Sequence, residues 1–190
     1  MPTPIEAAES TAATKPTAVA GSVRADGARL GTAPRDLAFW PVFLVALLID
    51  FTTKRLAEAR LALHTPYEVA GDSVRFTLTY NPDAAMSLSL GSWSRVVFTG
   101  VASLMLLVLF RMYRQTKRDD PWRAAALGLI AAGALGNLLD RLRSALGVVD
   151  FIDIGFGNAR FWIFNVADIA VTSGAILLFI LLWRQPAESE

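Results

Sequence analysis

The sequence predicts a mainly α polytopic membrane protein, four transmembrane helices with a small outward-facing β-sheet subdomain. Three observations carry that prediction. The 190 residues are 54% hydrophobic with a mean hydropathy of +0.43, yet charged segments interrupt the apolar runs, the profile of a polytopic chain rather than a soluble domain. Four apolar segments each approach the ~20 residues a bilayer requires once their flanks are included. All five tryptophans, Trp40, Trp93, Trp122, Trp162 and Trp183, fall near the ends of those segments, where an indole prefers the interface.

Residues 1–35 are rich in Ala, Thr, Pro and Gly and have neither a core-forming period nor the continuous apolar run of a signal peptide. They read as a disordered cytoplasmic tail ahead of a membrane domain at 36–184. The first span runs from about Leu37 to Phe51 and continues through Thr52 and Thr53 toward Lys54. Segment 55–92 then forms the outer β subdomain. Val74, Phe76, Leu78 and Tyr80 alternate with polar residues, and Met86, Leu88 and Leu90 repeat the alternation beyond Asn81-Pro82-Asp83, which predicts two half-buried strands around a turn. The second span covers about Trp93 to Tyr113, the third Trp122 to Leu139 and the fourth Phe161 to Trp183, followed by a short cytoplasmic tail at 185–190.

Orientation follows from charge. Arg111, Arg114, Lys117, Arg118 and Arg123 crowd the connection between spans two and three, which the positive-inside rule places in the cytoplasm. Both termini are then cytoplasmic, and 55–92 and 141–160 face outward, although Arg141, Arg143 and Arg160 lie on that side.

Composition also excludes functions. A net charge of +1 without a basic face gives no sign of nucleic-acid binding. With no cysteine and His64 as the lone histidine, the chain has no disulfide, no thiolate nucleophile and too few nitrogen and sulfur ligands for hydrolytic zinc. His64 lies in Leu63-His64-Thr65-Pro66, remote from any nucleophile motif, and reads as a surface histidine.

Asp168 is the one formally charged side chain in the fourth span, and at ~1.5 Å per residue it would lie ~10 Å below one surface. A carboxylate near the middle of a membrane helix costs roughly 2.5–3.5 kcal/mol, so it is a functional-site candidate. A second acid, Asp150, sits in the short segment Gly147–Ile152 that leads back to this span. Asp50 and Lys54 are four apart and can pair on one helix face. Asn137 and Arg141 repeat that spacing at the end of the third span, one turn after Gly133, which permits close helix approach. Asn165, Asp168 and Thr172 share a face of the fourth span.

At any one of these positions, a polar residue tying helices together explains the sequence as well as catalysis does. Their common depth favours a site. A Ser–Lys dyad through Lys54 stays open, and so does a non-enzymatic membrane protein whose buried acid relays protons or locks helices. The chemistry these residues suit best is a carboxylate pair, in which burial and mutual repulsion keep one acid protonated while the other activates water.

Asp50-Phe51-Thr52-Thr53-Lys54, Asn81-Pro82-Asp83-Ala84-Ala85, Gly133 through Asn137 to Arg141, Val148-Val149-Asp150-Phe151 and Phe164-Asn165-Val166-Ala167-Asp168 resemble, in order, the motif set of bacterial lipoprotein signal peptidase, signal peptidase II. The resemblance implies a four-span inner-membrane aspartyl endopeptidase that cuts a prolipoprotein just before its diacylglyceryl-modified cysteine. Asp150 and Asp168 match the family's catalytic pair. Asp50, Lys54, Asn81, Asn137, Arg141, Asn165 and Ala167 match positions that support the dyad or line the substrate site. The implied partners are diacylglyceryl-modified prolipoproteins and membrane lipids. A site within one chain implies a monomer, and the chemistry calls for no metal or cofactor. Asp83 departs from the pattern by standing where the family usually has glycine.

Overall fold

The computed structural model describes residues 33–82, 93–157 and 159–184. Residues 1–32 of the tail expected at 1–35, the tail at 185–190, Asp83 and the predicted second strand around Met86–Leu90 lie outside the described residues, whereas Pro34 and Arg35 already belong to a helix.

Among the described residues, four helices are long and apolar enough to cross a membrane: α1 (Pro34–Arg60), α2 (Ser94–Gln115), α3 (Pro121–Arg143) and α4 (Val166–Trp183). Two of them begin with proline at the first turn, where a missing N–H costs nothing, and Asp120 caps α3 by accepting from the Arg123 amide at 3.1 Å. α3 is the central helix. Half of its apolar window is buried, against 11–17% in the other three. Small residues allow this, since Ala124, Ala126, Gly128, Ala131, Ala132, Gly133 and Gly136 line its buried faces. A Cβ at Gly133 would lie 2.2 Å from the Ala167 carbonyl oxygen, so α3 and α4 meet backbone to backbone.

Gly133→Ala therefore must push α4 away, and with it the residues at the start of that helix. Overpacking of this kind costs about 1–3 kcal/mol. The expected outcome is a lower thermal midpoint in detergent together with lower activity per folded molecule.

The strands β1 (Tyr67–Ala70), β2 (Val74–Asn81), β3 (Val148–Phe156) and β4 (Ala159–Arg160) form one antiparallel sheet in that order. It sits at the end of the bundle where α1 and α3 finish and α4 begins. Leu78, Val149 and Phe151 pack on Ala57 of α1, so the sheet shares a core with the helices. β2 matches the alternating segment expected from the sequence, and register places Thr79 opposite Asp150 and Asn81 opposite Val148. Gly147 makes the entry to β3 possible, with φ +99° and no room for a Cβ beside the Asn81 carbonyl.

Three expectations need correction. α1 does not stop near Lys54 but continues to Arg60, so 55–60 are helical rather than part of a β subdomain. The segment around Asp150 is the nine-residue strand β3, paired on both sides, rather than a short connection. The fourth helix begins at Val166, and Phe164 bridges Ile152 of the sheet. Asp168 is thus the third residue of its helix, not a residue ~10 Å inside one. The reason is a capping box, in which the Asn165 side chain accepts the Asp168 amide at 3.0 Å and the Asp168 carboxylate accepts the Asn165 amide at 3.1 Å.

Candidate active site

The polar residues singled out in the sequence converge where β2 and β3 meet the ends of α1, α3 and α4. Asp150 projects from β3 and is 4% exposed. Its Oδ1 accepts from Asn165 Nδ2 at 2.6 Å, and the Asn81 side chain at the end of β2 hydrogen-bonds the same carboxyl group. Asp168 faces it from the first turn of α4, with Oδ1 accepting from Asn137 Nδ2 at 2.8 Å. Asn165 is fully buried between the two acids, binding one by its side chain and the other by its backbone.

Lys54 organises the layer behind. Its ammonium has three protons and three acceptors, Asp50 Oδ2, Asp140 Oδ2 and Asn137 Oδ1, each at 2.9 Å. The Asp50–Lys54 pair is thus formed as the four-residue spacing predicts. The donors of Lys54 are spent on these three groups, which removes the ground for a Ser–Lys dyad. Asp50 has a second task, since its Oδ1 accepts the Ala167 amide at 2.8 Å and sets an anion at the α4 amino terminus, the end of the helix dipole that favours one. Ala167 and Gly136 must be small there. A Cβ on Gly136 would fall 2.4 Å from Asp50 Oδ2 and 3.5 Å from the Ala167 methyl.

Arg141 lies one turn beyond Asn137, donating to its carbonyl at 3.2 Å and interacting electrostatically with Asp150, Asp168 and Asp140. Asp50, Asp140, Asp150 and Asp168 therefore share their surroundings with Lys54, Arg55 and Arg141. Four acids beside three bases balance when the Asp150–Asp168 pair holds one proton. Burial, and then the charge of Asp168, push the Asp150 carboxyl up to about 7, against which Asn165, Asn81 and Lys54 pull only partly. A carboxyl poised there can hold or release a proton near neutrality.

Thr172 and His64 are not brought into this cluster by any hydrogen bond or ion pair among the described residues. His64 is exposed in the turn before β1 with φ +56°. Sequence reasoning gave no role to Asp140, although it lies inside the third motif. It is 4% exposed, binds Lys54 and Arg55, and accepts the Val149 amide at 3.3 Å. Its three-residue spacing from Asn137 was the available signal. Asp153, three residues beyond Asp150 on β3, fastens the sheet: Thr77, Arg75 and Arg160 hydrogen-bond its carboxylate and outweigh burial, so that it stays below the ordinary range.

Residues 42–184 match the family model of signal peptidase (SPase) II. The chain belongs to the signal peptidase II family. It is 38% identical over 151 residues to the lipoprotein signal peptidase of Streptomyces coelicolor, covering 79% of this chain and 72% of that one. It is 41% identical over 147 residues to that of Mycobacterium tuberculosis, covering 74% and 68%. A bacterial membrane enzyme solved by the in meso method at 2.3 Å superposes with a TM-score of 0.69 at 27% identity, covering 79% of this chain and 93% of that one. As a signal peptidase II the chain is a multi-pass membrane protease, which sets aside the reading of a non-enzymatic membrane protein whose buried acid relays protons or locks helices. The described residues of its five sequence motifs lie at one end of the bundle, and Asp50, Lys54, Asn81, Asn137, Asp150, Asn165 and Asp168 meet in the cluster just described.

Proposed function

We propose that this chain is an aspartyl endopeptidase that removes signal peptides from diacylglyceryl-modified prolipoproteins, cutting just before the lipidated cysteine, with Asp150 and Asp168 as its acid–base pair. The observation that carries the reading is the bridge of Asn165 between two carboxyl groups, one on a strand and one at a helix amino terminus. The surroundings divide the labour between them. Asp168 sits in the first turn of α4 and accepts from Asn137 and the Asn165 amide, a setting suited to a carboxylate. Asp150, buried on β3, holds the shared proton.

Asp168 takes a proton from water as the water oxygen attacks the scissile carbonyl, while Asp150 gives its proton to the carbonyl oxygen. The tetrahedral diol then collapses. Asp168 passes its proton to the leaving nitrogen as the C–N bond breaks, and Asp150 recovers a proton from the diol hydroxyl. Each acid ends as it began.

The basic connection between α2 and α3 supports a cytoplasmic placement for that end of the bundle, which puts both termini inside and the site at the outer membrane face. With Asp168 one turn into α4, the pair lies where water and a lipid-tethered peptide can both reach it. The exposed apolar side chains of α2 and α4 then contact lipid, and one chain supplies the whole site as a monomer.

Purified enzyme is expected to cleave a diacylglyceryl-modified prolipoprotein at the bond preceding the modified cysteine and to leave the unmodified precursor intact. Cleavage elsewhere, or equal cleavage of both substrates, contradicts the proposal. The pH profile follows from the Asp150 proton. Activity should fall as pH rises through about 7, because the pair then loses the proton that one member must donate. A rate that holds steady to pH 9 contradicts that role.

A further inference from the structure

Beyond the cluster that the motifs mark, a second row of charges runs from Asp140 to the end of α1. Arg55 bridges the Asp140 carboxylate, at 3.0 Å, and Glu58 one turn further on. Arg143 at the end of α3 donates to both Glu58 oxygens, at 2.7 and 3.0 Å. The Tyr80 hydroxyl on β2 donates to Glu58 Oε1 at 3.3 Å. This row touches neither acid of the pair. It does grip both strands beside Asp150: Asp140 holds the Val149 amide, the residue before Asp150, and Glu58 holds Tyr80, the residue before Asn81.

We propose that Glu58 is a positioning residue for the acid–base pair, acting through Tyr80 to hold β2 where the Asn81 side chain reaches Asp150. The inference rests on the aspartyl reading given above. Its physical basis is a lever. β2 ends at Asn81, and the side chain before it, Tyr80, packs on the core shared with α1 and has its hydroxyl tied to α1 through Glu58. Arg55 and Arg143 fix the Glu58 rotamer from both sides, which leaves Tyr80 one place to bind. Loss of the tie lets the end of β2 drift, and Asn81 withdraws from Asp150.

The pH dependence identifies this mechanism. Asp150 faces Asp168 from α4, Lys54 from α1 and Arg141 from α3, and none of these is touched by a change at Tyr80. The Asn81 hydrogen bond favours the ionised form of Asp150. Its loss must therefore move the alkaline limb of the rate profile to higher pH. A role confined to stability would change the yield of folded enzyme and leave that limb in place.

The test compares wild type, Tyr80→Phe, Glu58→Gln and Glu58→Ala as folded, purified enzymes on a lipid-modified prolipoprotein. Tyr80→Phe is expected to lower kcat about 2- to 12-fold, the range of an ordinary hydrogen bond, since at 3.3 Å this contact to the Glu58 carboxylate is long, with KM unchanged and the alkaline limb raised. Glu58→Ala should lower kcat about 10- to 100-fold with the same shift in the limb, since charged hydrogen bonds go as well. Glu58→Gln keeps an acceptor for Tyr80 and should retain the wild-type limb. Adding Tyr80→Phe to Glu58→Ala should cost little more, because both act through one contact. Full kcat and an unmoved limb in Tyr80→Phe overturn the proposal, even if Glu58→Ala fails to fold. Failure of the wild type to cleave overturns the aspartyl reading instead.

Discussion

Asp150→Asn is expected to lose about 10²- to 10⁴-fold in prolipoprotein cleavage at pH 6, the usual contribution of a positioned acid or base, while the protein becomes harder to unfold at pH 8. The two effects have one origin. Asn keeps the size of the side chain and an oxygen to accept from Asn165, but it has no proton to give to the carbonyl. Burial and the neighbouring Asp168 raise the folded-state affinity of Asp150 for its proton from the ordinary 3.8 to about 7. A raised acid stabilises the fold most fully below its unfolded value, and that contribution is lost as pH rises through about 7. Above it, the wild type must hold a buried pair of like charges that the variant lacks. Thermal midpoints in detergent at pH 5 and pH 8 test the sign: the variant should gain on the wild type at the higher pH. An Asp150→Asn protein that is less stable than wild type at pH 8 contradicts it.

Lys54→Met should produce the largest loss of stability. The ammonium is 1% exposed and neutralises Asp50 and Asp140 at once. Truncating one partner of a buried pair typically costs about 3–5 kcal/mol, because the remaining charges stay buried without compensation. Here two carboxylates are left: Asp140 keeps Arg55 and the Val149 amide, while Asp50 keeps the Ala167 amide and loses its cation. The chemistry suffers too, since Lys54 orients Asn137, which in turn donates to Asp168. Lys54→Arg should not rescue it. A planar guanidinium cannot point three donors at three converging acceptors, and the crevice between α1 and α3 beside Lys54 holds only about 20 Å³ of free space. Adding Asp50→Asn to Lys54→Met should recover part of the stability, because Asn still accepts from Ala167 without a charge. A single variant that melts with the wild type would show that the buried cluster does not depend on this cation.

Most of the fold was legible because its strongest signals are local. Apolar length marked four spans, alternation marked β2, and the spacing of Asp50 and Lys54 marked an ion pair without a structure. What hydropathy could not separate was an apolar helix from an apolar extended segment. Phe161–Phe164 are as hydrophobic as the span they precede, and only the Asn165 capping box reveals that the helix begins after them. That pattern, Asn followed three residues later by Asp, was present in the sequence and reassigns Asp168 from a membrane interior to a helix terminus. β3 was missed for a similar reason. Val148 to Ile154 carry the β-branched and aromatic residues of a central strand, but Asp150 and Asp153 break their hydrophobic run. The row from Arg55 to Arg143 was illegible for a different reason. It depends on α1 continuing past Lys54, on the position of β2 and on the end of α3, three things that no local pattern couples.

The measurement that bears most directly on the site is the mass of the products formed from a diacylglyceryl-modified prolipoprotein by folded wild type and folded Asp168→Asn. A control carries a substitution at Glu68, exposed on the edge strand β1. Wild type and the Glu68→Gln control are predicted to release the signal peptide and a mature chain that begins at the lipid-modified cysteine, while Asp168→Asn returns intact precursor. Release of the same products by folded Asp168→Asn at a rate near that of the wild type would contradict a two-carboxylate site.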